Sequence, residues 1–307
     1  MAHGIAAIGE CMVELSSQGG ELWRMGYAGD TFNTLWTLRA LTEPGRRADY
    51  ISAFGDDPFS TRQIAFFDDH GIGIGESPVI AGARPGLYAI TLTGAERSFT
   101  YWRADAAARQ LARDPVSLAK SLENKGLIYF SGITLAILDE RGRDRLFEAV
   151  ALARTHGAHI AFDPNYRPGL WPDVESARAV ISRALSGVDM VLPTFPDEQA
   201  LFGDTTPAAT ATRLEQAGAA EIVVKNGAED ALIAHYGGRQ AAAPVYVAKA
   251  IDTTGAGDSF NGAYLAARLL GHKPADAVRR AHRVAATVIQ VRGALAPFDL
   301  LRMAFAR

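Results

Sequence analysis

Short, mainly apolar runs separated by longer segments of helical periodicity set the rhythm of this chain. Residues 4–8, 50–54, 127–130, 159–162, 190–192 and 221–224 form such runs, which predicts strands buried on both faces. Between them, apolar positions recur at helical spacing and predict helices near 31–41, 59–70, 139–155, 173–185 and 207–218. Strand–helix alternation of this kind implies βαβ units, and so an α/β fold with a mostly parallel sheet covered by helices on both faces. Near the end, residues 231–236 and 244–250 flank Gly237-Gly238 and predict an antiparallel pair.

Two stretches interrupt the alternation. Residues of about 11–28 and 84–104 carry strand-like runs where a crossover helix is due, and Phe99, Tyr101 and Arg103 alternate with Ser98, Thr100 and Trp102. Thr93-Gly94-Ala95-Glu96 reads as a hairpin turn. These runs predict a small sheet inserted into the core within a chain that otherwise reads as one domain. Placed over the carboxyl edge of the main sheet, it would act as a lid.

Composition narrows the class. The 307 residues are 48% hydrophobic and 21% charged, which excludes disorder and rod-like repeats. A chain of this size buries roughly three quarters of its unfolded surface, so its core needs no staple. Cys11 is the single cysteine, which excludes an internal disulfide and a thiolate cluster. With 31 basic and 34 acidic residues the net charge is −3, which argues against a nucleic-acid or membrane-surface footprint. The sequence shows neither a signal-peptide pattern nor a long apolar span, so the expectation is a soluble, cytoplasmic protein.

Strand after strand ends in a polar or glycine cluster: Gly9-Glu10, Gly55-Asp56, Ser131-Gly132, Asp163-Pro164-Asn165, Pro193-Thr194 and Lys225-Asn226-Gly227. Ligands of open α/β sheets bind outside the carboxyl ends of strands, so these clusters predict one common cleft. The densest chemistry lies in Asp252-Thr253-Thr254-Gly255-Ala256-Gly257-Asp258-Ser259-Phe260-Asn261-Gly262, which opens an apolar helix ending at Gly271. Amides at a glycine-rich helix start form an anion hole suited to phosphate. A carboxylate beside such a hole makes sense when a hydroxyl lies between them: Asp258 takes its proton while the hole holds the incoming phosphoryl group. The segment is neither a Walker loop nor a dinucleotide fingerprint, since no Gly-Lys follows and residue 260 is Phe.

This segment resembles the C-terminal signature of the ribokinase-like (PfkB) carbohydrate kinases, and Gly29-Asp30-Thr31-Phe32-Asn33 resembles their N-terminal one. The likeness runs from Gly9-Glu10 to the terminal helix. Gly86-Leu87-Tyr88, the run from Glu96 to Arg103, Ala106-Ala107-Ala108-Arg109 and Asp163-Pro164-Asn165-Tyr166-Arg167 are similar to the 2-keto-3-deoxygluconate kinases within that family. The resemblance implies ATP-dependent phosphorylation of the terminal hydroxyl of a sugar acid, with Asp258 as base and Gly255, Ala256 and Gly257 as the anion hole. It also implies Gly29, Asp30, Asn33, Asn165 and Asp252 on substrate hydroxyls. Tyr88 and Tyr101 would line the mouth of the site, and Arg103 and Arg167 would meet the carboxylate as guanidinium forks.

On the nucleotide side the resemblance implies Thr194, Lys225, Gly227 and Ala228, with Gly255 and Gly257 at the phosphates. Asp230 stands where family members usually continue with Gly. Phe195 replaces the Asn of the family's Asn-x-x-Glu, leaving Glu198 as an outer-shell ligand of the Mg²⁺ that arrives with ATP. At a helix start Asp258 should keep a low pKa and serve as a weak base. Homo-oligomerisation through the lid is a further implication of the resemblance. Two alternatives stay open: a family kinase for a neutral sugar such as fructose or ribose, and a non-catalytic sugar or nucleotide sensor.

Overall fold

Among the residues described by the computed structural model, 4–93 and 96–307, the strands run in chain order as follows. They are β1 (Gly4–Ile8), β2 (Met12–Ser17), β3 (Trp23–Ala28), β4 (Ala48–Ile51), β5 (Phe54–Gly55), β6 (Val79–Ile80) and β7 (Leu87–Thr93). Then come β8 (Glu96–Trp102), β9 (Lys125–Ser131), β10 (His159–Asp163), β11 (Met190–Val191), β12 (Glu221–Val224), β13 (Ala231–His235) and β14 (Gly238–Ala242). The main sheet has the order β14-β13-β12-β11-β10-β9-β1-β4 and is parallel from β12 to β4. This is the expected α/β architecture. Among the described residues no helix is long and apolar enough to cross a membrane.

Apolar residues alternate between the two faces of the sheet, which is why the strand runs are continuous rather than alternating. Ile5, Ala7, Leu127, Tyr129, Ala161 and Val223 pack on one side with the Asp30–Leu41, Ala256–Leu269 and Pro274–Val288 helices. Their neighbours Ala6, Ile8, Ile128, Phe130, Phe162 and Val224 pack on the other, against Glu140–Thr155, Val174–Leu185 and Pro207–Gln216. Burying one such large side chain stabilises the fold by about 1.5–3 kcal/mol.

The small sheet has the order β3-β2-β7-β8, with antiparallel hairpins β2–β3 and β7–β8 joined by a parallel β2–β7 pair. The anticipated turn at Thr93–Glu96 falls on Gly94 and Ala95, outside the described residues. The C-terminal antiparallel pair exists, but its second strand is β14, not residues 244–250. Tyr236 and Gly237 have φ of +47° and +77° and close a two-residue turn, so the strand restarts at once at Gly238. Pro244, which lacks an N–H, lies just beyond its end.

Candidate active site

The strand-end clusters converge as the topology requires. A cleft of about 1190 Å³ is bounded by Glu10 after β1, Asp163 at the end of β10 and Asn165 beyond it, Thr194 after β11, and Lys225 and Gly227 after β12. The start of the Ala256–Leu269 helix forms one wall, and Tyr88, Tyr101 and Arg103 enter from the small sheet.

Gly255 caps that helix with φ +73°, a conformation that strains any side chain, and a Cβ built there would lie 2.8 Å from Ala294 Cβ. Gly255→Ala should therefore cost about 1–3 kcal/mol, read as a lower urea midpoint, and reduce turnover by shifting the helix start. The Ala256 N–H donates to the Thr253 carbonyl at 3.3 Å, so this amide of the expected anion hole is already engaged. Gly257 and Asp258 are the next two positions of the first turn, where amides lack intrahelical acceptors.

Asp258 departs from expectation in its acidity. Loss of hydration, reinforced by the carboxylates of Asp30 and Asp163, pushes its carboxyl up to about 7, against the opposing effects of Asn33 and Lys225. Desolvation outweighs the helix-end field because it acts on the whole charge, whereas the field supplies about half a charge. Asn33 Nδ2 donates to Asp258 Oδ2 at 2.8 Å, while its Oδ1 accepts the Gly29 N–H at 3.3 Å. Asn33 thereby orients the Asp258 carboxyl. Gly29 has an extended φ that any residue adopts; its requirement is close approach, since a Cβ would sit 2.1 Å from the Glu10 carbonyl oxygen. Asn165 Nδ2 donates to Asp30 Oδ2 at 2.8 Å, and the Asn165 N–H donates to Asp163 Oδ1 at 3.0 Å.

Both arginines face the cleft, and both carry acidic partners. Arg103 Nη2 donates to Glu10, in a pair whose side chains are 13% and 1% exposed, and Arg103 Nε and Glu10 Oε1 are buried without partners among the described residues. Burial pushes the Glu10 carboxyl up despite the guanidinium. Arg167 Nη1 donates to Asp197 Oδ2 at 3.0 Å but remains 49% exposed, so Arg167 is the more solvent-accessible of the two guanidinium groups. Tyr88 is buried with its hydroxyl on Glu14, and the Tyr101 ring lies tilted against it at the mouth with ring centroids 5.7 Å apart.

Three anticipated residues lie elsewhere. Asp252 does not line the cleft: its Oδ1 accepts the Thr254 N–H at 3.0 Å and its Oδ2 the Gly293 N–H at 2.8 Å, so it braces the loop instead of a substrate hydroxyl. Glu198 sits in the first turn of the Phe195–Phe202 helix, fully buried, held by Arg213, which also pairs with Asp204. It too is absent from the cleft wall, because the helix turns it inward. Ala228 is exposed just beyond Gly227 and outside the lining. Cys11 is buried, which holds its thiol well above the usual range, far from reactive thiolate behaviour.

Sequence reasoning placed Asp163 in a strand-end cluster but gave no role to it or to Asn261. Lys225 Nζ donates to Asp163 Oδ2 at 2.7 Å and to Asn261 Oδ1 at 2.9 Å, and Asn261 Nδ2 donates back to Asp163 Oδ2 at 2.7 Å. A signal was present: Asp163 ends a buried apolar run, and Asn261 is a polar residue within the buried stretch Phe260–Ala267.

Comparison with known proteins places the chain in a family. The profile of the pfkB family carbohydrate kinases matches residues 2–300. A 2-dehydro-3-deoxygluconokinase from Dickeya dadantii is 38% identical over 304 residues, covering 97% of this chain and 98% of that protein. Among solved structures, a 2-dehydro-3-deoxygluconokinase from Thermotoga maritima superposes with a TM-score of 0.85 at 19% identity, covering 99% of this chain and all of the other. A fructokinase with bound ATP from Xylella fastidiosa gives 0.83 at 20% identity, covering 100% and 99%. The latter two likenesses concern the fold.

Proposed function

The chain belongs to the pfkB family of carbohydrate kinases, and from that premise we propose that it transfers the γ-phosphoryl group of ATP to the terminal hydroxyl of 2-keto-3-deoxygluconate. The observation that carries this reading is a single cleft holding both a carboxylate beside first-turn amides and a half-exposed guanidinium. Asp258 would accept the hydroxyl proton as the acceptor oxygen bonds to phosphorus and the bridging bond to the β-phosphate breaks; ADP leaves, and the proton later returns to water. A carboxyl near pH 7 is a better base than an ordinary aspartate, which suits this task. The amides of Gly257 and Asp258 would hold the phosphoryl oxygens, supported by the helix dipole. Arg167 would take the acceptor carboxylate while keeping its pair with Asp197, and Asp30 and Asn165 would hold hydroxyls. The small sheet would serve as the lid.

Mg²⁺ fits only as a companion of the nucleotide. Among the described residues no group of three or more His, Cys, Asp or Glu could hold a metal, and Glu198 is committed to Arg213. The ion would neutralise phosphate charge, with its own waters completing its shell. Asp30 and Asp163, which line the cleft, would tune the field around it.

The test is ADP release with Mg·ATP, comparing 2-keto-3-deoxygluconate, fructose and ribose. Turnover confined to the keto acid supports the reading. Preference for a neutral sugar would overturn the carboxylate assignment, and nucleotide binding without turnover on any acceptor would favour the sensor.

A further inference from the structure

We infer that Lys225 is a catalytic residue that grips the phosphoryl group in flight, with Asp163 and Asn261 as its positioning residues. An ammonium has three N–H donors arranged tetrahedrally. Two are spent at the cleft floor, on Asp163 Oδ2 at 2.7 Å and Asn261 Oδ1 at 2.9 Å. Both acceptors are buried, Asp163 at 2% exposure and Asn261 at 0%, so the amine cannot swing away without stranding a carboxylate. The third direction is marked by Gly257. A Cβ built on that glycine would find Lys225 Nζ at 3.8 Å as its only non-adjoining neighbour within 4 Å. The remaining N–H therefore opens on the space before the first-turn amides, and Lys225 is close enough to Asp258 to favour its charged form.

A cation so placed lies beside the first-turn amides and close enough to act on the proposed base. It meets the equatorial phosphoryl oxygens, where charge collects during transfer, while no proton leaves the ammonium. A Cβ at 257 would be accommodated, 3.8 Å from Nζ, but would narrow the gap that the phosphoryl group must enter. This inference rests on the proposed phosphoryl transfer, but the γ-phosphate contact is measurable without any acceptor.

The experiment compares wild type with Lys225→Ala by calorimetric titration of Mg²⁺ with ADP and with the β,γ-imido analogue of ATP, followed by turnover on the best acceptor. Binding of the analogue should weaken tenfold or more while ADP stays within twofold. kcat should fall about 100-fold or more, the scale of losing one preorganised donor, with acceptor KM within threefold. Ethylammonium should restore part of kcat to Lys225→Ala, a response that a merely structural lysine would not show. If Lys225→Ala does not fold, Lys225→Arg retains the pair with Asp163 but carries its donors past Gly257, and the same titrations apply. Equal weakening of ADP and the analogue, or kcat within threefold of wild type, overturns the inference. Wild-type inactivity on every acceptor would overturn the proposed function while leaving the titration result to judge Lys225 alone.

Discussion

Asp258→Asn is expected to lower kcat by about 10²–10⁴-fold while leaving nucleotide affinity near wild type, because a positioned general base contributes on that scale. The amide keeps an oxygen for Asn33 Nδ2 but cannot take a proton. In wild type, kcat/KM should rise with pH through about 7, with a slope of one proton, as the Asp258 carboxyl ionises; the limb should vanish in the variant. Stability should move the other way. The folded pKa lies above the unfolded value of about 3.9, so the native state holds a proton that the unfolded chain releases. Its contribution is complete below pH 4 and is lost as pH rises through about 7. Urea unfolding at pH 8 should therefore find Asp258→Asn more stable than wild type, with no difference below pH 4. Equal activity, or a variant less stable at pH 8, would sink the assignment of Asp258 as a desolvated base.

Arg167→Ala should raise KM for 2-keto-3-deoxygluconate by about 10–100-fold, since a charge-assisted contact contributes about 1.5–3 kcal/mol and each 1.4 kcal/mol is tenfold. The loss also strips Asp197 of its partner, and the bare carboxylate repels an anionic acceptor. KM for fructose should change less than threefold. Arg167→Lys should recover part of the affinity, because it returns the charge but not the fork. A uniform rise for both acceptors would show that Arg167 shapes the cleft instead of reading a carboxylate.

The parts of the molecule legible in the chain are those governed by local rules. The β1, β9, β10 and β12 runs announce themselves because central parallel strands bury both faces, and the glycine-rich helix start because backbone conformation is set within a few residues. Even the paired arginines could be placed near the site. Their partners could not: Arg103 and Glu10 are 93 positions apart, Lys225 and Asp163 are 62, and Asn33 and Asp258 are 225.

The family resemblance implies Asp252 and Glu198 as ligands, yet packing turned one toward Gly293 and the other toward Arg213. The β13–β14 turn was mistaken at its second strand because the restart depends on positive φ at Tyr236, an uncommon state for a tyrosine that its sequence context does not signal. By itself, then, the sequence determined the α/β class, the principal elements and the chemistry-bearing segments, since periodicity and turn geometry are short-range properties. Only the tertiary structure decided the acidity of Asp258, which arginine stays reachable and where Lys225 points, because desolvation and Coulomb interaction follow distance through space and not separation along the chain.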